Sequence, residues 1–217
     1  MESPDLYFGQ VEQDKFVCKI TKNRKNGTFL EIGSNHPKNL NNTYLLETNF
    51  NWRGIMVEYD NKWLPFYKQY RKNSCHIIDD AVKVDYLKTL QDNKMPYHID
   101  YLQIDLEENN GSTLNTLLKL DNNIFDKYKF AVVTFEHDIY RYNHFDTRKK
   151  SREIFKKRGY FNVFNDIKDD NNPFEDWYVH PELVDMDYVN YLKEVNKKNY
   201  TSHNITGKAL FWKDIIY

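Results

Sequence analysis

Glycine is scarce in this chain, at 7 of 217 residues, and so are proline, at 6, and cysteine, at 2. The shortage of glycine argues against a G-x-G-x-x-G loop, where the backbone must come close to a pyrophosphate. No proline-rich linker, internal repeat or low-complexity tract divides the sequence. Cys18 and Cys75 lack the spacing of a disulfide framework or a zinc site and read as reduced and structural. No apolar run reaches the about 18 residues that a membrane span needs. The first residues, MESPDLYFGQ, have neither the basic start nor the apolar core of a signal peptide, so a cytoplasmic location is expected. A formal net charge of −1 supplies no global field for recruiting nucleic acid or an acidic membrane. The one basic cluster, Arg148-Lys149-Lys150 with Arg152, reads as a solvated helix face.

What is present is a globular composition, with 29% charged and 16% aromatic residues. The length suits one α/β domain with a full core. Residues 10–22 place Val11, Phe16, Val17 and Ile20 at helical spacing, so residues 1–26 are expected to form an N-terminal helical segment ahead of a single domain at 27–217. From there, apolar runs alternate with helical stretches. Strands are expected at TFLEIG, RGIMVEYD, CHIIDDAV, IDYLQIDLE, KFAVVTFEHD and YFNVFNDI, and helices over 39–50, 61–72, 84–92, STLNTLLKL and 147–158. Gly159 is expected to stop the last of these helices. DWYVHPELV and GKALFWKD read as further short strands. The runs are nearly continuous in apolar residues, as strands covered on both faces are. The expected architecture is therefore an open, doubly wound, Rossmann-like sheet, mostly parallel, with helices on both faces.

In such sheets, ligands bind outside the carboxyl ends of the strands. The residues there are Glu31 to Asn35, Glu58, Asp79 to Ala81, Asp105 to Glu107, and Glu136 to Asp138. Acids recur at successive tips, which is a pattern rather than noise. Glu58 lies in the place of an acid that accepts bonds from ribose hydroxyls. A ribose acid without a glycine-rich turn fits a nucleoside cofactor that lacks phosphate, and S-adenosylmethionine (SAM) is the common one.

The order and spacing of several segments resemble the FkbM family of class I SAM-dependent methyltransferases over roughly residues 10 to 185. These are QVEQDKF, GTFLEIGSN, NNTYLLETNFNWRGIMVEYD, YLQIDLEENNGSTLNTL, FEHD and FEDWYVHPELVD. The resemblance implies that Glu31, Gly33 and Asn35 hold the amino acid end of SAM, that Glu58 binds its ribose, and that Asp80 and Ala81 face its adenine. Pro37 departs from the family, which usually has glycine there. The resemblance further implies methyl transfer to a sugar hydroxyl of a glycan or glycosylated product, with a carbohydrate as partner. For activation of that hydroxyl two possibilities stand: a magnesium or manganese ion held by Asp105, Glu136 and His137, or His137 as a metal-free general base. Asp138, Trp177, Tyr178 and His180 are the expected acceptor-binding residues, with Trp177 equally readable as core. The rival readings are a glycosyltransferase using Asp79-Asp80 and a non-catalytic module that keeps the fold.

Overall fold

The computed structural model describes residues 7–142, 145–197, 207–210 and 212. A first helix, α1 (Gln13–Ile20), precedes β1 (Thr28–Ile32), α2 (Tyr44–Phe50), β2 (Arg53–Glu58), α3 (Leu64–Tyr70) and β3 (Cys75–Ile78). Then come α4 (Tyr86–Asp92), β4 (His98–Ile104), α5 (Ser112–Asn123), β5 (Lys129–Glu136), α6 (Ile139–Tyr142) and α7 (Phe145–Lys157). The chain continues with β6 (Phe161–Asp169), β7 (Asn172–Val179) and α8 (Met186–Val195). The seven strands form one sheet in the order β3-β2-β1-β4-β5-β7-β6. β1 to β5 are mutually parallel, whereas β7 runs antiparallel to both β5 and β6.

Both faces of the sheet are covered, as the apolar runs require. Phe16 and Val17 of α1, Leu45 and Leu46 of α2, Trp177 of β7 and Val189 of α8 pack in one layer. Leu90 of α4, Leu117 and Leu120 of α5 and Phe155 of α7 pack in the other. None of the helices among the described residues is long and apolar enough to cross a membrane.

Three expectations need correction. The helix expected over 39–50 begins only at Tyr44, because residues 34–43 form an irregular loop with Asn35 (φ 47°) and Leu40 (φ 55°) in left-handed backbone. DWYV is not a short isolated strand but the end of an eight-residue β7 paired with β6 and β5. Of the strand expected at GKALFWKD, Gly207–Ala209 form a 3-10 turn, and residues 211, 213 and 214 lie outside the described residues. The helix α8 follows Asp185, whose side chain caps it by accepting the N–H of Asp187 at 3.1 Å and of Tyr188 at 3.2 Å.

Candidate active site

Strand order reverses between β1 and β4, and their carboxyl ends part to open a cleft. A cavity of about 770 Å³ lies there. Its floor depends on Gly33 (φ 86°), where an added Cβ would fall 1.7 Å from the carbonyl oxygen of Asp105. Only glycine permits β1 and β4 to approach so closely and the chain to turn as it does.

On the β1–β2 rim, Glu58 lines the cavity and is held in place by backbone. It accepts the N–H of Asn35 at 2.7 Å and of Asp60 at 2.8 Å. A carboxylate has about four acceptor positions, so capacity for hydroxyl donors remains. Gly33, Ser34, Asn35, Tyr59, Asp80 and Ala81 line the same side. The 34–43 loop takes its shape from a fully buried arginine, Arg71, at the end of α3. Its guanidinium donates to Asn41 Oδ1 at 2.9 Å, Thr43 Oγ1 at 2.6 Å, the Pro37 carbonyl at 3.3 Å and Glu47 Oε2 at 2.9 Å. An arginine thus does from behind what a glycine-rich turn would do by tight backbone packing. Glu31 belongs to this network and not to the cavity wall. It is completely buried, accepts the Thr43 hydroxyl at 2.9 Å and lies 3.9 Å from Arg71. The direct cofactor contact expected of Glu31 is therefore corrected: its side chain supports the loop from the core side. Burial raises its carboxyl pKa, and the Arg71 charge pulls it back.

On the β4–β5 rim the acids are crowded together. Asp105 and Glu136 line the cavity and hydrogen-bond one another, and Asp138 stands beside them. Burial raises the Asp105 pKa, which the bond with Glu136 partly offsets. Burial, the Asp105 charge and the nearby Asp138 push Glu136 well above the usual carboxylate range. The two carboxyls therefore titrate as a unit and hold a proton more tightly than a free carboxylate does. Asp138 is 1% exposed and in left-handed backbone (φ 48°). Its N–H and that of His137 both donate to the carbonyl of Phe174, at 3.1 and 2.6 Å. Gln103, in the middle of this rim, is 3% exposed and donates to Asp105 Oδ2 at 3.3 Å.

Four expected site residues point elsewhere. His137 follows Glu136 along the strand, so its side chain leaves the opposite face of the sheet. It is wholly buried, with Nε2 lying 3.4 Å from Asp166 and 3.6 Å from Asp176. Neither a proton relay from the acceptor nor a metal shared with Asp105 and Glu136 can run through it. Among the described residues, His137, Asp166 and Asp176 are the one group whose donor atoms converge within 4.8 Å. There Arg152 already holds Asp176, at 2.7 and 2.8 Å, and Asp166, at 3.0 Å, so a second cation would meet a guanidinium. Among the described residues, no such group of three converges at the Asp105–Glu136 rim.

Trp177, Tyr178 and His180 are carried away from the cleft by the antiparallel course of β7. Glu175 pairs with Glu136 at the cleft end, and each later residue steps toward the far edge, where the His180 N–H donates to the Ala131 carbonyl at 2.9 Å. Trp177 stacks on Phe16 with ring centroids 4.6 Å apart, Tyr178 donates to Asp176 at 3.0 Å, and His180 packs edge-on against Tyr160. These are core roles. Gln103 and Arg71 escaped the sequence reading. Gln103 left a signal, as a polar residue within an otherwise buried strand; a lone arginine after an aromatic helix left none.

No protein-family model and no curated protein matches the chain. Solved structures do. A Clostridium thermocellum protein provisionally described as an rRNA methylase superposes with a TM-score of 0.51 at 13% identity, covering 77% of this chain and 94% of that one. The methyltransferase domain of METTL16 gives 0.52 at 11% identity, covering 82% and 68%. The chain has the class I, Rossmann-like methyltransferase fold.

Proposed function

We propose that the chain is a SAM-dependent O-methyltransferase acting on a sugar hydroxyl, in the manner of the FkbM-type enzymes its motifs resemble. The observation that carries this reading is the Asp105–Glu136 carboxyl pair, which faces the cavity and whose burial raises its affinity for a proton, as a general base requires. An alcohol needs such a base at neutral pH, and His137 is turned away from the cavity toward Asp166 and Asp176.

The cavity suits the methyl donor. Glu58 offers acceptors for two ribose hydroxyls, Tyr59, Asp80 and Ala81 wall the side beyond it, and Ser34 and Asn35 edge the turn after Gly33. When bound, SAM supplies an electrophilic methyl group on a cationic sulfur: the new O–CH₃ bond forms as the S–CH₃ bond breaks, leaving a neutral thioether. The residues of the chain do the rest. The deprotonated Asp105–Glu136 pair takes the hydroxyl proton, so the acceptor oxygen attacks without a net positive charge. Gln103 holds Asp105 in place through its amide N–H. Gly33 keeps the two rims close enough for donor and acceptor to meet.

The test has two arms. Titration calorimetry should show binding of S-adenosylhomocysteine (SAH), and transfer from labelled SAM to a panel of methyl glycosides should follow, unaffected by chelator. Failure to bind SAH in a folded protein rejects the reading at its base. Transfer to amines or nucleic acid alone rejects the hydroxyl acceptor.

A further inference from the structure

The acidic rim contains two buried acceptor atoms that find no hydrogen-bond partner among the described residues. Oδ1 of Asp138 and Oε1 of Gln103 are both shielded from solvent and accept no hydrogen bond, yet both residues line the cavity. The Gln103 amide is oriented by its donation to Asp105, so the oxygen is the atom left over. Among the described residues, the rim neighbour placed to donate to the Asp138 carboxyl is Glu136 when it carries a proton. That donor vanishes once the pair ionises to act as base. Arg141 lies 3.7 Å from Asp138 Oδ2, beyond a hydrogen bond and on the other oxygen. Buried acceptors without donors are costly, and native proteins keep few of them. Asp138 is also held in left-handed backbone by two N–H bonds to the Phe174 carbonyl, so its position is imposed by the fold rather than relaxed.

Resting on the methyltransferase reading above, we infer that Asp138 and Gln103 are specificity-determining residues that bind a second hydrogen-bond donor adjacent to the reacting hydroxyl, so that the acceptor is a vicinal diol. One hydroxyl gives its proton to the Asp105–Glu136 pair and takes the methyl group. Its neighbour keeps its proton and donates it to Asp138 Oδ1, with Gln103 Oε1 as the further acceptor. A rim made of acceptors discriminates against a methoxy or deoxy carbon at the neighbouring position, because neither can donate. It also disfavours a carboxylate or phosphate there, which would meet Asp138 as a like charge.

The experiment uses the full chain with labelled SAM. The probes are methyl α-D-mannopyranoside, methyl α-L-rhamnopyranoside, methyl β-D-galactopyranoside and their monodeoxy and mono-O-methyl analogues, with glucuronate and glucosamine as charged controls. SAH binding is measured first: its absence fails the methyltransferase reading, whereas binding without transfer to any diol overturns the diol inference alone. The expected result is transfer to a diol, with about ten- to hundredfold lower kcat/KM for the analogue lacking the neighbouring donor, as loss of a hydrogen bond to a charged group implies. Asp138→Asn tolerates the left-handed backbone and should shrink that ratio toward one while SAH affinity holds. Gln103→Met gives an independent reading of the same ratio. Equal rates on diol and deoxy probes, or a ratio that survives both substitutions, would overturn the inference.

Discussion

On the β1–β2 side of the cleft, most acids meet donors: Glu58 accepts two backbone N–H groups and, behind it, Glu47 of α2 takes the Arg71 guanidinium, while Glu31 keeps one buried oxygen without a partner among the described residues. On the β4–β5 rim, Asp105 and Glu136 press on each other, and Asp138 retains a buried oxygen without a donor. The same residue type at equivalent strand tips thus serves opposite ends. Matched acids fix the 34–43 loop. On the proposed reading, that loop holds the cofactor, and the unmatched acids keep proton affinity and hydrogen-bonding capacity for a substrate.

The sharpest way to break this contrast is to neutralise one acid on each rim. Glu136→Gln keeps the shape of the crowded rim but removes its base, and kcat should fall by about 10²–10⁴-fold with SAH affinity nearly unchanged. On the proposed mechanism, methyl transfer by the parent chain should rise with pH through the raised pKa of the pair, since a base must lose its proton, and that rise should vanish in Glu136→Gln. A pH–rate profile of both proteins decides this; an unchanged profile would move the base elsewhere.

Next in size is the buried arginine. Arg71→Met leaves Glu31 and Glu47 in the core without their cation, and the cost expected for breaking such a pair is about 3–5 kcal/mol. Denaturant unfolding measures it. Because Arg71 also holds the Pro37 carbonyl and Asn41, SAH affinity should fall in any protein that still folds. A variant with full stability and full affinity would show that the loop needs no support from behind.

Glu58→Ala tests the matched rim directly. It removes the proposed ribose acceptor and the two N–H bonds that set the turn, so SAH should bind about ten- to hundredfold more weakly, the worth of charge-assisted bonds of roughly 1.5–3 kcal/mol. Calorimetry on the folded variant gives the answer, and an unchanged dissociation constant would reject the assignment.

The rims were unequally legible in the sequence. Alternating apolar runs and strand-tip acids carry their information locally, so the doubly wound sheet and the positions of Gly33, Glu58, Asp105 and Glu136 could be read from one line of text. His137, Trp177, Tyr178 and His180 could not, because their direction depends on which face of β5 they leave and on the antiparallel course of β7. Both are settled by pairing across the sheet. Nor could the sequence distinguish Glu31 from Glu58. Each is an acid near the end of an apolar run, and only the arrival of Arg71 from 40 residues away, in sequence, turns one of them inward.

The smallest expected effect separates two adjacent acids of β7. Glu175, beside Glu136 in the sheet, is pushed from 4.5 up to about 8, chiefly by burial. Asp176, on the other face, is drawn from 3.8 down to about 2: burial opposes the shift, but the bonds from Arg152 and His137 outweigh it. The signs differ accordingly. Glu175 binds its proton more tightly in the folded chain, so its contribution to stability is complete below about pH 4.5 and is lost as pH rises through about 8. Asp176 contributes above about pH 3.8 and loses that contribution as pH falls through about 2. Asp14, raised to about 7 by its own burial, adds to the alkaline decline and remains in every variant below. Thermal unfolding from pH 5 to 8 should therefore show a shallower loss of Tm in Glu175→Gln than in the parent. Asp176→Asn should leave the slope across that range intact and lower the whole curve. Parallel curves for Glu175→Gln and the parent would mean that the carboxyl next to the acidic rim is ionised at neutral pH after all. The crowding that sets the rims apart would then end at Glu136 and not extend into β7.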